Sequence, residues 1–165
     1  MAAGENPNKP IVAAVVNGDL RELSYPIEIE SRLSAVNMST ADGARIYRRS
    51  LTFLLEFAFQ QLFSKGKLTI DHSVSSGGYY CQVSGREMLS AEELEMLEKR
   101  MQAEVADDRP FVREEIPLQE AIQYFESLGH LDKVNLLAHR KKNYLTLYRL
   151  GEHMDYHHGY MVPST

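Results

Sequence analysis

The chain contains little of the chemistry that small proteins use for cross-linking or catalysis. Its 165 residues include one cysteine and no tryptophan. A single cysteine excludes an intramolecular disulfide framework and a cysteine-based zinc site. No apolar run approaches the roughly 20 residues that span a bilayer, and the opening residues lack the charged and apolar regions of a secretory signal. A cytoplasmic location and no membrane partner are therefore expected.

Motifs for nucleotide binding and nucleophilic catalysis are also missing. The sequence has no phosphate-binding loop ending in Gly-Lys-Ser/Thr and no Gly-x-Gly-x-x-Gly turn. It has no Gly-x-Ser-x-Gly nucleophile elbow. Cys81 follows Tyr79 and Tyr80 without a basic neighbour, so we expect a packed thiol and not a nucleophile. No cofactor is expected in this chain.

Acidic residues outnumber basic ones, 23 to 18, and the formal net charge is −5. This balance argues against tight non-specific binding to nucleic acid, because such binding depends on phosphate neutralisation by lysine and arginine. Two local basic clusters, RIYRR and HRKK, are compatible with a smaller contact to RNA. An RNA-binding alternative would use the cations of these clusters, namely Arg45, Arg48, Arg140, Lys141 and Lys142.

Hydrophobic patterning predicts an α+β fold. Two β-prone runs meet at Asn17-Gly18, which favours a type I′ hairpin turn, and a third short strand follows. A helix from about Asp42 to Phe63 carries enough apolar residues to be buried on most sides. A strand–turn–strand with a Ser-Ser-Gly-Gly turn comes next, and a capping box at Ser90 starts another helix. Further short helices and strands complete an antiparallel sheet with helices on one face.

Three of the six histidines lie close together, at His153, His157 and His158. A zinc site needs three or four ligands that converge on the ion. The economical partner would be a His-x-x-x-His pair on the long helix, but that helix contains no histidine. Two readings stay open, a closed metal site and pocket-lining or surface histidines, of which the second is favoured.

The order of these elements resembles the second additional domain of threonyl- and alanyl-tRNA synthetases. The resemblance runs from Ile46 to Pro163 through YRRSLTFLLEFAFQQLF, LTIDHSVSSGGYYCQV, LSAEELEMLEKRM, LQEAIQYFESLG and HMDYHHGYMVPS. Residues of about 11–40 resemble the back half of the TGS domain that precedes it in threonyl enzymes. The resemblance implies a partial TGS-like segment at residues 1–40 and an editing-like domain at 41–165.

The resemblance also implies that the editing site is lost. Editing enzymes use two histidines of the helix, with a cysteine and a histidine of the final segment, to hydrolyse mischarged tRNA. Carried over by position, the helix pair falls on Arg49 and Phe53, and the second pair falls on His157 and Met161. A single imidazole cannot hold zinc, so neither a catalytic residue nor a metal ligand is expected.

The same altered pattern, RIYRRS…HSVSSGGYYC…HMDYHHGYMVPST, is similar to a bacterial family of uridine kinase-like proteins. In that family a TGS-like and synthetase-like region precedes a kinase domain with a phosphate loop. The resemblance implies a non-catalytic accessory or ligand-binding region whose partner is a downstream kinase domain, with ATP and magnesium bound only there. The alternatives are an aminoacyl-tRNA deacylase of the editing type and a tRNA-binding module. Both would have tRNA as a partner, which is less favoured than the kinase domain.

A ligand cleft is the remaining expectation. We predict that it is lined by two arginines of the long helix, two tyrosines of the following hairpin and two histidines of the final segment, namely Arg48, Arg49, Tyr79, Tyr80, His157 and His158. Such a cleft would suit a small phosphate or carboxylate, because arginine presents a planar fork of donors. The favoured alternative is that Arg49 merely pairs with an acidic neighbour such as Asp155.

Overall fold

The computed structural model describes residues 10–75 and 77–165, which form eight strands and four helices. The strands are β1 (Ile11–Val16), β2 (Asp19–Arg21), β3 (Leu33–Asn37), β4 (Lys67–Ser73), β5 (Tyr79–Ser84), β6 (Val112–Pro117), β7 (Tyr144–Leu150) and β8 (His153–Asp155). The helices are α1 (Ala41–Leu62), α2 (Ala91–Ala106), α3 (Leu118–Ser127) and α4 (Leu131–Ala138). Every strand pairing among them is antiparallel, which confirms the α+β class. No helix of the described residues is long and apolar enough to cross a membrane.

The chain divides into two compact units. The first runs to Phe111 and also includes the last segment, Gly159–Thr165, whereas the second is Val112–His158. Within the described residues the strands form three separate sheets, β2-β1-β3, β4-β5 and β6-β7-β8, where the sequence had suggested one. The domain boundary expected after residue 40 does not coincide with this division and stays a prediction; residues 1–9 of that segment lie outside the described part.

The hairpin at Asn17-Gly18 forms as predicted. Both residues have positive φ, 52° for Asn17 and 97° for Gly18, as a type I′ turn requires. Strand β3 pairs with the other side of β1. The sheet packs with α1 around a small buried cluster in the first unit, formed by Val12, Ala13, Val36 and Ile46.

Helix α1 begins one residue earlier than predicted, because Thr40 is its N-cap. The Thr40 side chain accepts a hydrogen bond of 3.1 Å from the amide of Gly43, which satisfies one of the free amides at the helix start. The buried face of α1 runs along its whole length and is mostly apolar; it consists of Gly43, Ile46, Ser50, Phe53, Leu54, Phe57, Ala58 and Phe59. Tyr47, Arg48 and Leu51 are exposed, so α1 is buried along one face and not on most sides as predicted.

Helix α2 begins at the capping box predicted from the sequence. Ser90 and Glu93 exchange hydrogen bonds of 3.2 Å and 3.0 Å between side chain and backbone. The bond from Arg86 lowers the pKa of the Glu93 carboxyl, and the Ser90 amide adds to this effect. Leu97 packs with Ala58 and Phe59 of α1. The turn predicted between β4 and β5 includes Ser76, which lies outside the described residues.

The second unit is a three-stranded sheet with two helices. Its core consists of Ala121, Phe125, Leu137, Leu145 and Leu147, all buried. Strand β7 is central and pairs with β6 on one side and with β8 on the other. Pro117, expected as the first residue of a helix, instead ends β6 and is the N-cap of α3. The histidine segment therefore begins as a strand at His153.

Within the first unit, a buried carboxylate lies where the end of α2 meets the last segment. Glu104 is 1% exposed, and its two oxygens accept from Arg100 and, at 2.9 Å, from Arg109. The hydroxyl of Thr165 donates to the Glu104 carbonyl at 2.6 Å and accepts from the Arg109 amide at 3.0 Å. A buried carboxylate is costly unless it is paired, and the two arginines pair it. The Thr165 hydroxyl links the end of α2 to the last segment through backbone groups.

We expect Glu104→Gln to destabilise the first unit by about 3 kcal/mol, because it leaves two arginines around a neutral group. Urea unfolding followed by circular dichroism measures the loss. Glu95→Gln is the matched control, since Glu95 lies on the exposed face of the same helix and should change the free energy of unfolding by less than about 0.5 kcal/mol. Equal effects of the two substitutions would contradict a stabilising role for the Glu104 cluster.

Candidate functional site

The α1 arginines expected to line a cleft occupy different environments. Arg48 is exposed, and Arg49 is half-buried. The Arg49 guanidinium donates to the carbonyl of Tyr160 in the last segment. It also lies against Gly159, where an added Cβ would be 2.9 Å from the guanidinium carbon. Gly159 thus allows the close approach of arginine and backbone, and Arg49 helps to hold the last segment on α1.

The resemblance places two other editing residues in the first unit, and these positions are occupied by a phenylalanine and a methionine. Phe53 is fully buried and makes an edge contact with Phe111, with ring centroids 5.8 Å apart. Met161 is 3% exposed. Helix α1 contains neither histidine nor cysteine anywhere in its sequence. Phenyl rings offer no lone pair, and zinc in proteins is bound by cysteine, histidine and carboxylate groups. Helix α1 supplies neither an imidazole nor a thiolate.

The hairpin tyrosines are on the surface of the first unit. Tyr79 is 40% exposed and Tyr80 is 51% exposed. The Tyr80 ring stacks on His72 of β4, with centroids 5.4 Å apart. Burial, with a smaller contribution from Glu56, raises the pKa of the Cys81 thiol. A raised pKa keeps the thiol protonated, which agrees with the expectation that Cys81 is not a nucleophile.

The histidine segment of the second unit, residues 153–158, contains Asp155, which forms an ion pair that the sequence patterns did not reveal. Asp155 is 7% exposed; its carboxylate accepts from the Lys133 ammonium and, at 2.6 Å, from the Tyr156 amide. Lys133 also lies 5.2 Å from the centre of the Phe125 ring. The two charges are 22 residues apart in the sequence, a separation that no local motif records. Asp155 therefore has a partner in its own unit.

Tyr124 and the histidines complete this surface of the second unit. The Tyr124 hydroxyl accepts from the Met154 amide at 3.0 Å. Burial raises the pKa of Tyr124, and the nearby charges of Asp155 and Glu152 add to the effect. The Tyr156 hydroxyl lies 3.1 Å from Nδ1 of His158. His157 is half-buried and His158 is exposed.

The six residues of the predicted cleft belong to both units. Four of them, Arg48, Arg49, Tyr79 and Tyr80, are in the first unit, and His157 and His158 are in the second. The cleft as a whole, and the alternative pairing of Arg49 with Asp155, join residues of different units and stay predictions. The residues that sequence reasoning missed are Lys133 and Tyr124, both on helices that contribute to the second core.

The chain is similar to a part of threonine–tRNA ligases. It is 35% identical over 158 residues to the threonine–tRNA ligase of a Polaromonas species, covering 95% of this chain and 25% of the ligase. It is 35% identical over 163 residues to that of an Azoarcus species and 34% identical over 165 residues to that of Acidithiobacillus ferrooxidans. In these two pairs 98% and 99% of the chain align with 25% and 26% of the ligase. No protein-family model matches the chain.

The chain thus spans about a quarter of the length of these curated relatives. The similarity supports the synthetase-like resemblance over nearly the whole chain. It gives no support to the link with uridine kinases, which rests on the sequence resemblance alone.

We expect Gly159→Ala to destabilise the first unit more than Gly18→Ala does. Both glycines have positive φ, 95° and 97°, so alanine should cost about 1 kcal/mol of backbone strain at either position. An added Cβ at Gly18 would meet nothing within 4 Å, whereas at Gly159 it would meet Arg49. Loss of the charged hydrogen bond to Tyr160 should add about 1.5 kcal/mol. Thermal and urea unfolding measure the difference.

The same substitutions in an Arg49→Ala background provide the control. If contact with the guanidinium causes the extra loss, Gly159→Ala and Gly18→Ala should then differ little, as a double-mutant cycle requires for coupled residues. An extra loss that persists without Arg49 would contradict the role given to this contact.

Proposed function

We propose that this chain is a tRNA-binding module of the threonyl-tRNA synthetase type that does not hydrolyse aminoacyl-tRNA by the metal-dependent editing mechanism. The observation that carries the proposal is the similarity to threonine–tRNA ligases along 95% of the chain, combined with an α1 helix that has no histidine or cysteine. The similarity supports tRNA as the partner, and the composition of α1 supports binding without that hydrolysis.

The packing in the first unit supports the absence of the editing mechanism. Phe53 and Phe57 fill the buried face of α1, at 0% and 3% exposure, and Arg49 is engaged by the last segment. A metal-activated water needs at least three protein ligands around an open position. Aromatic rings at the buried helix positions cannot contribute to such a set.

Residues that the sequence analysis singled out remain candidate contacts to tRNA, each within its own unit. Arg48, Tyr79 and Tyr80 are exposed in the first unit, and His158 is exposed in the second. Guanidinium, phenol and imidazole groups suit the phosphates and unpaired bases of RNA. A uridine kinase-like accessory role with a small anionic ligand is the other hypothesis, and the sequence resemblance alone favours it.

We expect the full chain to bind a threonine tRNA transcript with salt-dependent affinity. If about three phosphates are neutralised, the affinity should fall about 30-fold between 50 mM and 200 mM NaCl. Fluorescence anisotropy with a labelled transcript measures both the affinity and the slope. No binding at 50 mM NaCl would overturn the proposal and favour the kinase-associated reading.

The same preparation should not release the amino acid from mischarged threonine tRNA faster than the buffer does. Acid-gel analysis of the charged tRNA over time, with and without added zinc, provides the measurement. Release that is abolished by His157→Ala would overturn the non-hydrolytic part of the proposal and restore a deacylase.

A further inference from the structure

The second unit carries a long stretch of the chain without acidic residues. From Lys133 to Gly151 the sequence has no aspartate or glutamate, yet it includes five cations, Lys133, Arg140, Lys141, Lys142 and Arg149. Such a stretch stands out in a chain of net charge −5. Lys133 and Arg149 are engaged with Asp155 and Glu114. The remaining three cations are consecutive, in the loop between α4 and β7.

Aromatic rings lie directly against these cations. The Arg140 guanidinium carbon is 5.9 Å from the centre of the Tyr156 ring, and its Nε donates to the Tyr144 carbonyl at 3.1 Å. The Lys142 ammonium is 5.3 Å from the centre of the Tyr144 ring and 3.2 Å from its hydroxyl. Two cations are thus each held against a tyrosine, in the range of cation–π contacts.

A second aromatic pair extends the same surface. The Tyr156 and His158 rings meet edge to face, with centroids 4.7 Å apart. His158, Lys141 and Lys142 are exposed, and Tyr144 and Tyr156 are half-buried. Lys141 makes no ion pair with any described residue. We call this set the aromatic–basic surface; it consists of Arg140, Lys141, Lys142, Tyr144, Tyr156 and His158.

We propose that the aromatic–basic surface of the second unit binds a single-stranded segment of RNA, with the lysines on the phosphates and the tyrosines against the bases. This inference rests on the proposed function and names the surface and the RNA structure that it contacts. Aromatic side chains interleaved with a positively charged groove are the combination that single-stranded nucleic acids require. Bases in a continuous duplex are stacked on each other and cannot offer their faces to protein rings.

RNA fits this surface better than an acidic peptide does. Exposed lysines alone would attract either polyanion. The tyrosine rings distinguish the two ligands. A nucleobase can stack on Tyr144 or Tyr156, and such stacking contributes about 1–3 kcal/mol per base. The carboxylates of an acidic peptide have no aromatic face that could stack on these rings.

The test uses the full chain and three labelled probes: octameric oligoadenylate, octameric oligouridylate and an RNA hairpin with a fully paired stem. Anisotropy should show that the single strands bind more tightly than the hairpin. Lys141→Ala with Lys142→Ala should weaken the single strands at least tenfold and reduce the salt slope by about two. Lys65→Ala with Lys99→Ala is the matched control, since it removes the same charge from exposed lysines of the first unit, and it should change affinity less than twofold.

A substitution without a change of charge tests the rings. Purines stack more strongly than pyrimidines, so the native chain should prefer oligoadenylate, and Tyr144→Leu should remove most of that preference. Circular dichroism should first establish that the Tyr144 variant is folded; if it is not, Arg140→Lys, which keeps the charge but loses the planar guanidinium, replaces it and should weaken binding several-fold.

The outcomes separate the two proposals. Binding of threonine tRNA that is equally weakened by both lysine pairs would overturn the aromatic–basic surface while leaving the proposed function intact. Equal affinity for the hairpin and the single strands would also overturn it. So would a competition experiment in which polyglutamate displaces oligoadenylate as well as polyuridylate does at the same concentration of charge. Absence of any tRNA binding by the native chain would overturn the proposed function itself.

Discussion

The arrangement of the first unit depends on how the last segment is held by polar groups from two helices. Glu104 and Arg109 hold Thr165 at the end of α2. On α1 the Ser50 hydroxyl accepts from the Val162 amide at 2.9 Å, while Arg49 donates to the Tyr160 carbonyl. Each of these groups is wholly or partly buried, and a buried polar group without its partner would cost about 1–3 kcal/mol. The segment is therefore fixed by satisfied hydrogen bonds as much as by apolar contact.

The last segment also contacts the helix on which the resemblance places editing residues. The Arg49 guanidinium donates to the Tyr160 carbonyl, and the buried face of α1 includes Phe53, Phe57 and Phe59. A phenyl ring can be buried without the partners that an imidazole or a charge requires. Helix α1 is a core element of the first unit.

Charge in this protein is distributed unevenly, and that matters more than its net value. The chain is acidic overall, yet a run of nineteen residues from Lys133 to Gly151 has no carboxylate. Local fields extend about a Debye length, roughly 8–10 Å in physiological salt. A cationic loop can thus attract a polyanion although the whole chain has the same sign of charge as that polyanion. Some of the acidic residues have a structural role, since Glu104, Glu114 and Asp155 each pair with a cation.

The sequence alone determined the elements that rest on local chemistry. The Asn17-Gly18 turn, the Ser90 capping box and the apolar face of α1 follow from backbone preferences and spacing within a few residues. Tertiary structure decided what depends on residues far apart: the separation of the strands into three sheets, the engagement of Arg49 by Gly159 and Tyr160, and the Lys133–Asp155 pair. These contacts join positions 22 to 111 residues apart. Spacing along the chain contains no record of such distances, because only the packing of whole elements brings those side chains together.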